Sequence, residues 1–151
     1  MNSVTVRPAR REDLEHVIVL LQEASLPVLG VAEHLHHFLV AERSGDVVGS
    51  IGLEAYKDTA LLRSAVVSRR EQRKGIGAQL YDALIVYARA LRVKRILLLT
   101  NTAAAYFERR GFKKIDRQSV TGPVTSSVEF TGACPAHAAC MQLLLDPLAQ
   151  G

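Results

Sequence analysis

Tryptophan is absent from this chain of 151 residues, and tyrosine and phenylalanine number four each. So few aromatics leave little with which to stack on unpaired bases, and no helix-turn-helix or zinc-finger spacing occurs. A formal net charge of +4 therefore does not by itself make a nucleic-acid-binding protein. That reading stays as a rival, resting on basic clusters at Arg69, Arg70, Arg73 and Lys74, at Arg89, Arg92, Lys94 and Arg95, and at Arg109, Arg110, Lys113 and Lys114. Cysteine is equally scarce. Cys134 and Cys140 are too few for a disulfide framework, and the five residues between them fit neither a zinc nor a redox dithiol spacing. No apolar run approaches the ~20 residues that span a bilayer, so no membrane partner is expected. Arg7, Arg10 and Arg11 are followed by no apolar stretch of the kind a secretory leader carries, which makes a cytoplasmic location the default expectation. His34, His36 and His37 lack a nearby acid or cysteine to complete a ligand set, so no metal is expected either.

Apolar side chains are plentiful, at 48% of the residues. A chain of this length and composition is expected to fold as one domain over residues 1–151, burying roughly two-thirds of its unfolded surface. Residues 4–6 read as a first strand before Pro8. Asp13 is placed to cap a helix whose apolar face is Leu14, Val17, Ile18 and Leu21, with Pro27 ending it. Residues 31–35 suggest a short helical turn. Residues 38–41 and 47–53 flank Arg43-Ser44-Gly45-Asp46, a hairpin pattern, and residues 60–67 supply the next strand. Ile76, Leu80, Leu84, Tyr87, Ala88 and Leu91 give one face of a long helix. Residues 96–99 form a continuous apolar run, as in a central strand buried on both faces. An Ala-rich helix ends at Gly111, a helical turn or two is expected over 124–130, and residues 138–145 read as a last strand closed by Pro147.

Between the 60–67 strand and the long helix lies Gln72-Arg73-Lys74-Gly75-Ile76-Gly77-Ala78. Two glycines one residue apart permit a sharp bend with bare N–H groups, and a helix N-terminus opens at the same place. That is a nest for an anion, phosphate above all, with Arg73 and Lys74 adding full charges. The P-loop pattern is absent, since no Gly-Lys-Ser/Thr follows a first glycine at its spacing. The Rossmann fingerprint fails as well: Leu80 stands where its third glycine belongs, and no acid closes the strand at 95–100.

The loop does resemble the Gln/Arg-x-x-Gly-x-Gly/Ala signature of the GNAT acyltransferases, which hold the pyrophosphate of acetyl-CoA there. Val66-Val67-Ser68 resembles the strand end beside the pantetheine arm. Ala103-Ala104-Ala105-Tyr106-Phe107-Glu108-Arg109-Arg110-Gly111-Phe112 is similar to the family's second conserved helix with its Gly-Phe exit. The ordered likeness covers residues 60–115. It implies an α/β fold, a single GNAT-type domain whose central mixed sheet has about six or seven strands. It also implies a splayed pair of parallel strands, flanking helices, acetyl-CoA as cosubstrate and a small-molecule amine as acceptor. The family is often dimeric, so a homodimer stays open.

On that resemblance, Gln72, Arg73, Lys74, Gly75, Ile76, Gly77 and Ala78 would hold the pyrophosphate, and Val66 and Val67 the pantetheine. A backbone N–H near Val67 would face the developing oxyanion. Thr100, with Asn101 beside it, falls where the family has an asparagine; either would cap the next helix or reach the cofactor. Glu54 is the carboxylate placed to accept the amine proton, with a solvated strand-end glutamate as the alternative. Phe107 occupies the position at which many relatives carry a general-acid tyrosine. Its neighbour Tyr106 points about 100° away on a helix. Tyr106 is then a core residue, or the helix starts in another register and Tyr106 is the acid, or the thiolate leaves without a protein acid. Arg63 and Ser64 interrupt an apolar strand; Arg63 would pair with an acceptor carboxylate or else face solvent. His37 would line the acceptor pocket or lie at the surface.

Three further stretches narrow the resemblance. Glu129-Phe130, Cys134-Pro135 and Cys140-Met141 resemble the tails of two GNAT groups, the arsenic-resistance ArsN-type N-acetyltransferases and the short amino-acid (glutamate) N-acetyltransferases. Gly52-Leu53-Glu54-Ala55-Tyr56, Leu61-Leu62-Arg63-Ser64 and His37-Phe38-Leu39-Val40-Ala41-Glu42 look closest to the ArsN type. This implies Glu54 and Arg63 as site residues and transfer to the α-amino group of an acidic amino acid or its arsenical or phosphinic analogue. Alternatives are a glutamate-type enzyme and a degenerate domain that binds CoA and transfers nothing. An arsenic-binding dithiol at Cys134 and Cys140 is a further reading.

Overall fold

The computed structural model describes residues 3–133 and 137–145; Cys134, Pro135 and Pro147 lie outside the described residues. Along the described chain run β1 (Thr5–Pro8), α1 (Leu14–Glu23), α2 (Val31–His34), β2 (Phe38–Arg43), β3 (Asp46–Tyr56), β4 (Thr59–Val67) and α3 (Ile76–Ala90). After them come β5 (Arg95–Thr100), α4 (Ala104–Arg109), β6 (Lys113–Ile115) and β7 (Ala139–Leu144). The seven strands form one mixed sheet in the order β1-β2-β3-β4-β5-β7-β6. Only β4 and β5 are recorded as a parallel pair among the described residues, with Thr59↔Arg95, Ala60↔Ile96 and Leu61↔Leu97 in register. The expected α/β architecture and strand number hold. The chain groups into two compact units, residues 1–53 with 63–87, and residues 54–62 with 88–151.

In the first unit, Val17 and Leu21 of α1 pack with Val31, Phe38 and Val40. The i, i+3, i+4, i+7 spacing thus buries the face it implied. Asp13 does not cap α1, however. Its carboxylate accepts from the Arg10 backbone N–H at 2.6 Å and from both terminal nitrogens of Arg7, at 2.8 and 3.0 Å. Nor does Pro27 end the helix. Ser25 takes φ 58°, and Leu26 N–H and Ser25 N–H bond back to Leu21 O and Gln22 O, closing a left-handed C-terminal cap before the proline. The β2–β3 register pairs Phe38 with Gly52, and a Cβ on Gly52 would come within 2.3–2.5 Å of three Phe38 ring atoms. Only glycine lets that ring lie across β3.

The half-buried Arg7–Asp13 pair gives a pH prediction. Hydrogen bonds from Arg7 hold the Asp13 carboxyl below its ordinary value of 3.8. A depressed native pKa stabilises the fold above the unfolded value, and the contribution is lost as pH falls. Urea midpoints of the wild type should therefore drop on acidification below about pH 4, and Asp13→Asn should flatten that part of the curve.

In the second unit, Leu61, Leu97, Val120, Val124 and Cys140 form the core, with Tyr56, Leu99, Ile115 and Phe130 packed against it. Cys140 is a buried free thiol in β7, as its apolar surroundings in the sequence suggest. The 123–133 stretch folds as two short turns, Pro123–Ser126 and Glu129–Ala133. Strand β6, absent from the sequence reading, pairs antiparallel with β7 through Lys113↔Gln142, Lys114↔Met141 and Ile115↔Cys140. Its two exposed lysines disguise it, and they also suit an outermost strand that must not recruit another chain.

Candidate active site

The residues singled out from sequence fall at three places. The first is the turn into α3. Gly75 takes φ +84° and Arg73 φ 67°, both left-handed, so the chain reverses sharply before Ile76. The first bond of the helix runs from Gln79 N–H to Gly75 O, at 3.1 Å. The N–H groups of Ile76, Gly77 and Ala78 precede it and have no acceptor within the helix. A Cβ on Gly75 would meet nothing within 4 Å, and one on Gly77 only Val67 Cγ2 at 3.9 Å. Gln72, Arg73, Lys74 and Gly75 are exposed. The bend is thus open and lined by positive dipole ends, which suits a diphosphate. Two of its side chains are engaged locally. Gln72 donates to Val67 O at 3.1 Å, tying the loop to the strand end, and Lys74 lies 3.4 Å from Glu71, which Arg43 also contacts at 3.1 Å.

The second place is the middle of β4. Leu61, Leu62, Arg63 and Ser64 are all buried, and Ser64 adopts φ 60° inside the strand. A left-handed residue within a ladder is bulge geometry, which re-aims the following side chains. Ser50 Oγ donates to Ser64 O at 2.9 Å, and Arg63 Nε donates to Ser64 Oγ at 3.0 Å. A terminal nitrogen of Arg63 reaches Pro27 O at 3.4 Å. Arg63 is 2% exposed. The alternative of a solvent-facing arginine is therefore corrected: the guanidinium sits inside the protein, where a charge must be partnered. Val66 and Val67, beyond the bulge, are half-buried.

Third, Glu54 lies within β3, which runs on to Tyr56, and is 0% exposed. The solvated strand-end glutamate is thereby excluded. Tyr56 Oη donates to Glu54 Oε1 at 2.5 Å. Sequence reasoning gave Tyr56 no role, although two residues apart on a strand means one face.

The remaining candidates occupy simpler positions. Thr100 Oγ1 accepts from the Ala103 N–H at 3.0 Å, closing the turn into α4, while Asn101 is exposed. Phe107 is buried and packs edge-on against Phe112 at 5.4 Å between ring centroids. Tyr106 is not the core residue that one expectation made it: it is half-buried, with the Arg110 guanidinium 5.1 Å from its ring. His37 Nδ1 and the Tyr87 hydroxyl share a hydrogen bond. Desolvation, reinforced by His36 and His34, pushes the His37 imidazole below its ordinary value, and burial pushes the Tyr87 phenol up. Among the described residues no group of three or more His, Cys, Asp or Glu is arranged to hold a metal ion. No helix among them is long and apolar enough to cross a membrane.

Comparison with known proteins agrees with this geometry. Residues 6–112 match the acetyltransferase (GNAT) family. An amino-acid acetyltransferase of Mycobacterium tuberculosis is 30% identical over 129 residues, covering 79% of this chain and 74% of the relative. An uncharacterised N-acetyltransferase of Chlorobaculum tepidum is 26% identical over 119 residues, 78% of this chain and 74% of the relative. An N-acetylglutamate synthase from Neisseria gonorrhoeae, solved with coenzyme A and N-acetyl-glutamate, shares the fold at a TM-score of 0.82 and 21% identity. The match covers 95% of this chain but 35% of that enzyme, so the chain spans about a third of its length. A Mycobacterium tuberculosis protein solved in complex with CoA matches at a TM-score of 0.79 and 26% identity, over 94% of this chain and 99% of that one. GNAT enzymes use acetyl-CoA as their cosubstrate. The chain belongs to the acetyltransferase (GNAT) family and is an acyltransferase.

Proposed function

We propose that residues 1–151 act as one N-acetyltransferase domain, moving the acetyl group of acetyl-CoA to the α-amino group of a small acidic amino acid or an arsenical or phosphinic analogue of one. The observation that carries this reading is the open bend before α3, where Gly75 and Arg73 take left-handed φ, nothing crowds Gly75, and the first amides of the helix face outward beside exposed Arg73 and Lys74. Bound acetyl-CoA supplies a thioester, whose C–S bond breaks as the new C–N bond forms.

The chain's own groups do the rest. The open amides from Gly75 to Ala78, with Arg73 and Lys74, hold the diphosphate. Gln72 braces that loop on Val67 O, and Val66 and Val67 offer backbone to the pantetheine amides. A Val67-region N–H faces the oxyanion as it develops. Arg63 receives the acceptor carboxylate by a forked pair of hydrogen bonds, with Ser64 holding its Nε. Glu54 takes the amine proton. The CoA thiol is acidic enough for its anion to leave without a protein acid, which accommodates a phenylalanine at 107; Tyr106, half-buried beside it, is the available donor if a proton is delivered. Thr100 shapes the turn into α4, Asn101 stands exposed beside it, and His37, hydrogen-bonded to Tyr87, lines the acceptor pocket.

The test has two stages. Isothermal titration with acetyl-CoA should show binding, and its failure at millimolar cofactor removes the proposal. Thiol release is then followed over acidic amino acids, phosphinothricin and arsenical analogues, together with their decarboxylated amines. Turnover confined to carboxylate-bearing acceptors is the expected result. Cofactor binding with no release from any acceptor instead identifies a degenerate CoA-binding domain.

A further inference from the structure

We infer that Tyr56 is a positioning residue for catalysis, fixing the carboxylate of Glu54 in the orientation in which it takes the acceptor's proton; this rests on the reading of Glu54 as the base. The two residues are i and i+2 on β3 and so share a face of the strand. The Tyr56 hydroxyl donates to Glu54 Oε1 at 2.5 Å, the short distance of an O–H bonded to a charged oxygen. A base must be ionised to take a proton, and an ionised carboxylate can only accept, so in that role the phenol proton points at it. The phenol is itself held: its ring packs on the cluster of Leu61, Leu97, Val120, Val124 and Cys140. Glu54 is 0% exposed, so water does not supply this bond in its place. One oxygen is thereby committed to Tyr56, which restrains the carboxylate while an amine docks.

Tyr56→Phe keeps the ring and its packing and deletes only the donor. It should lower kcat about ten- to a hundredfold, the loss expected for a hydrogen bond to a charged group, with the KM for acetyl-CoA unchanged. The decisive measurement is the double-mutant cycle with Glu54→Gln, read on residual turnover at high pH. If Tyr56 acts through Glu54, the double variant matches Glu54→Gln alone. Additive losses, or a Tyr56→Phe enzyme as fast as the wild type, overturn the inference while leaving Glu54 as the base. A Glu54→Gln enzyme with full turnover removes the base itself, and that outcome is distinguishable because it appears in the single variant. Circular dichroism of Tyr56→Phe should match the wild type, since the ring contacts persist, while the thermal midpoint should fall by several degrees, because a buried carboxylate loses a donor.

Discussion

Glu54→Gln is expected to lower kcat by about 10²–10⁴-fold, the usual contribution of a positioned general base, with little change in the KM for acetyl-CoA. The substitution preserves volume and leaves an amide oxygen for the Tyr56 hydroxyl to bond, so the fully buried site keeps its packing. What disappears is a group able to accept a proton. The ammonium form of the acceptor must then lose its proton to solvent before it docks, and the variant's kcat/KM should climb with pH in step with the free amine. The wild type should show a broad plateau over the same range. A pH–rate series on both enzymes with a fixed acceptor reads this directly. A variant with wild-type kcat, or with a plateau unmoved in pH, would mean that the amine proton goes elsewhere.

The frame around this carboxylate was largely open to sequence reasoning, because its signals are local. The period of Leu14, Val17 and Leu21, the continuous run of Ile96, Leu97 and Leu98, and Gly111 at φ +98° each carry their own explanation. The Gly75–Gly77 bend was legible for the same reason. Where the structure departs, a partner distant in sequence decides the outcome. Asp13 has the position of a helix cap, and Arg7 takes its carboxylate. Glu54 and Arg63 could each have faced water, since alternation along a strand names a face and not which face is buried. The left-handed Ser64 has no glycine to announce it, nor do Ser25 and Arg92, which also take positive φ. His37 and Tyr87 meet across fifty positions, a separation that no window of sequence contains. Tyr56 was within reach: an aromatic hydroxyl two residues from a candidate base on a strand shares its face, and that spacing is a usable signal.

Arg63 carries the other large expected effect. Replacing it by Met keeps roughly the length of an apolar stem and removes the charge, which should raise the KM for a carboxylate-bearing acceptor by about 30- to 5,000-fold. That range corresponds to the ~2–5 kcal/mol typical when one partner of a buried charge pair is lost. Arg63→Lys should fall on the same side, because an ammonium cannot form the forked pair that a guanidinium gives, nor reproduce the Nε bond to Ser64 Oγ. The KM for acetyl-CoA should hold in both variants, since Gln72 to Ala78 are untouched. The control is the acceptor's decarboxylated amine. It offers Arg63 nothing to bind, so wild type and variants should use it equally poorly, and the variants should lose the preference for the acid. An Arg63→Met enzyme that folds, binds acetyl-CoA and still prefers the carboxylate acceptor would place Arg63 among the groups that hold the β4 bulge, through Ser64 and Pro27 O, rather than among those that touch substrate.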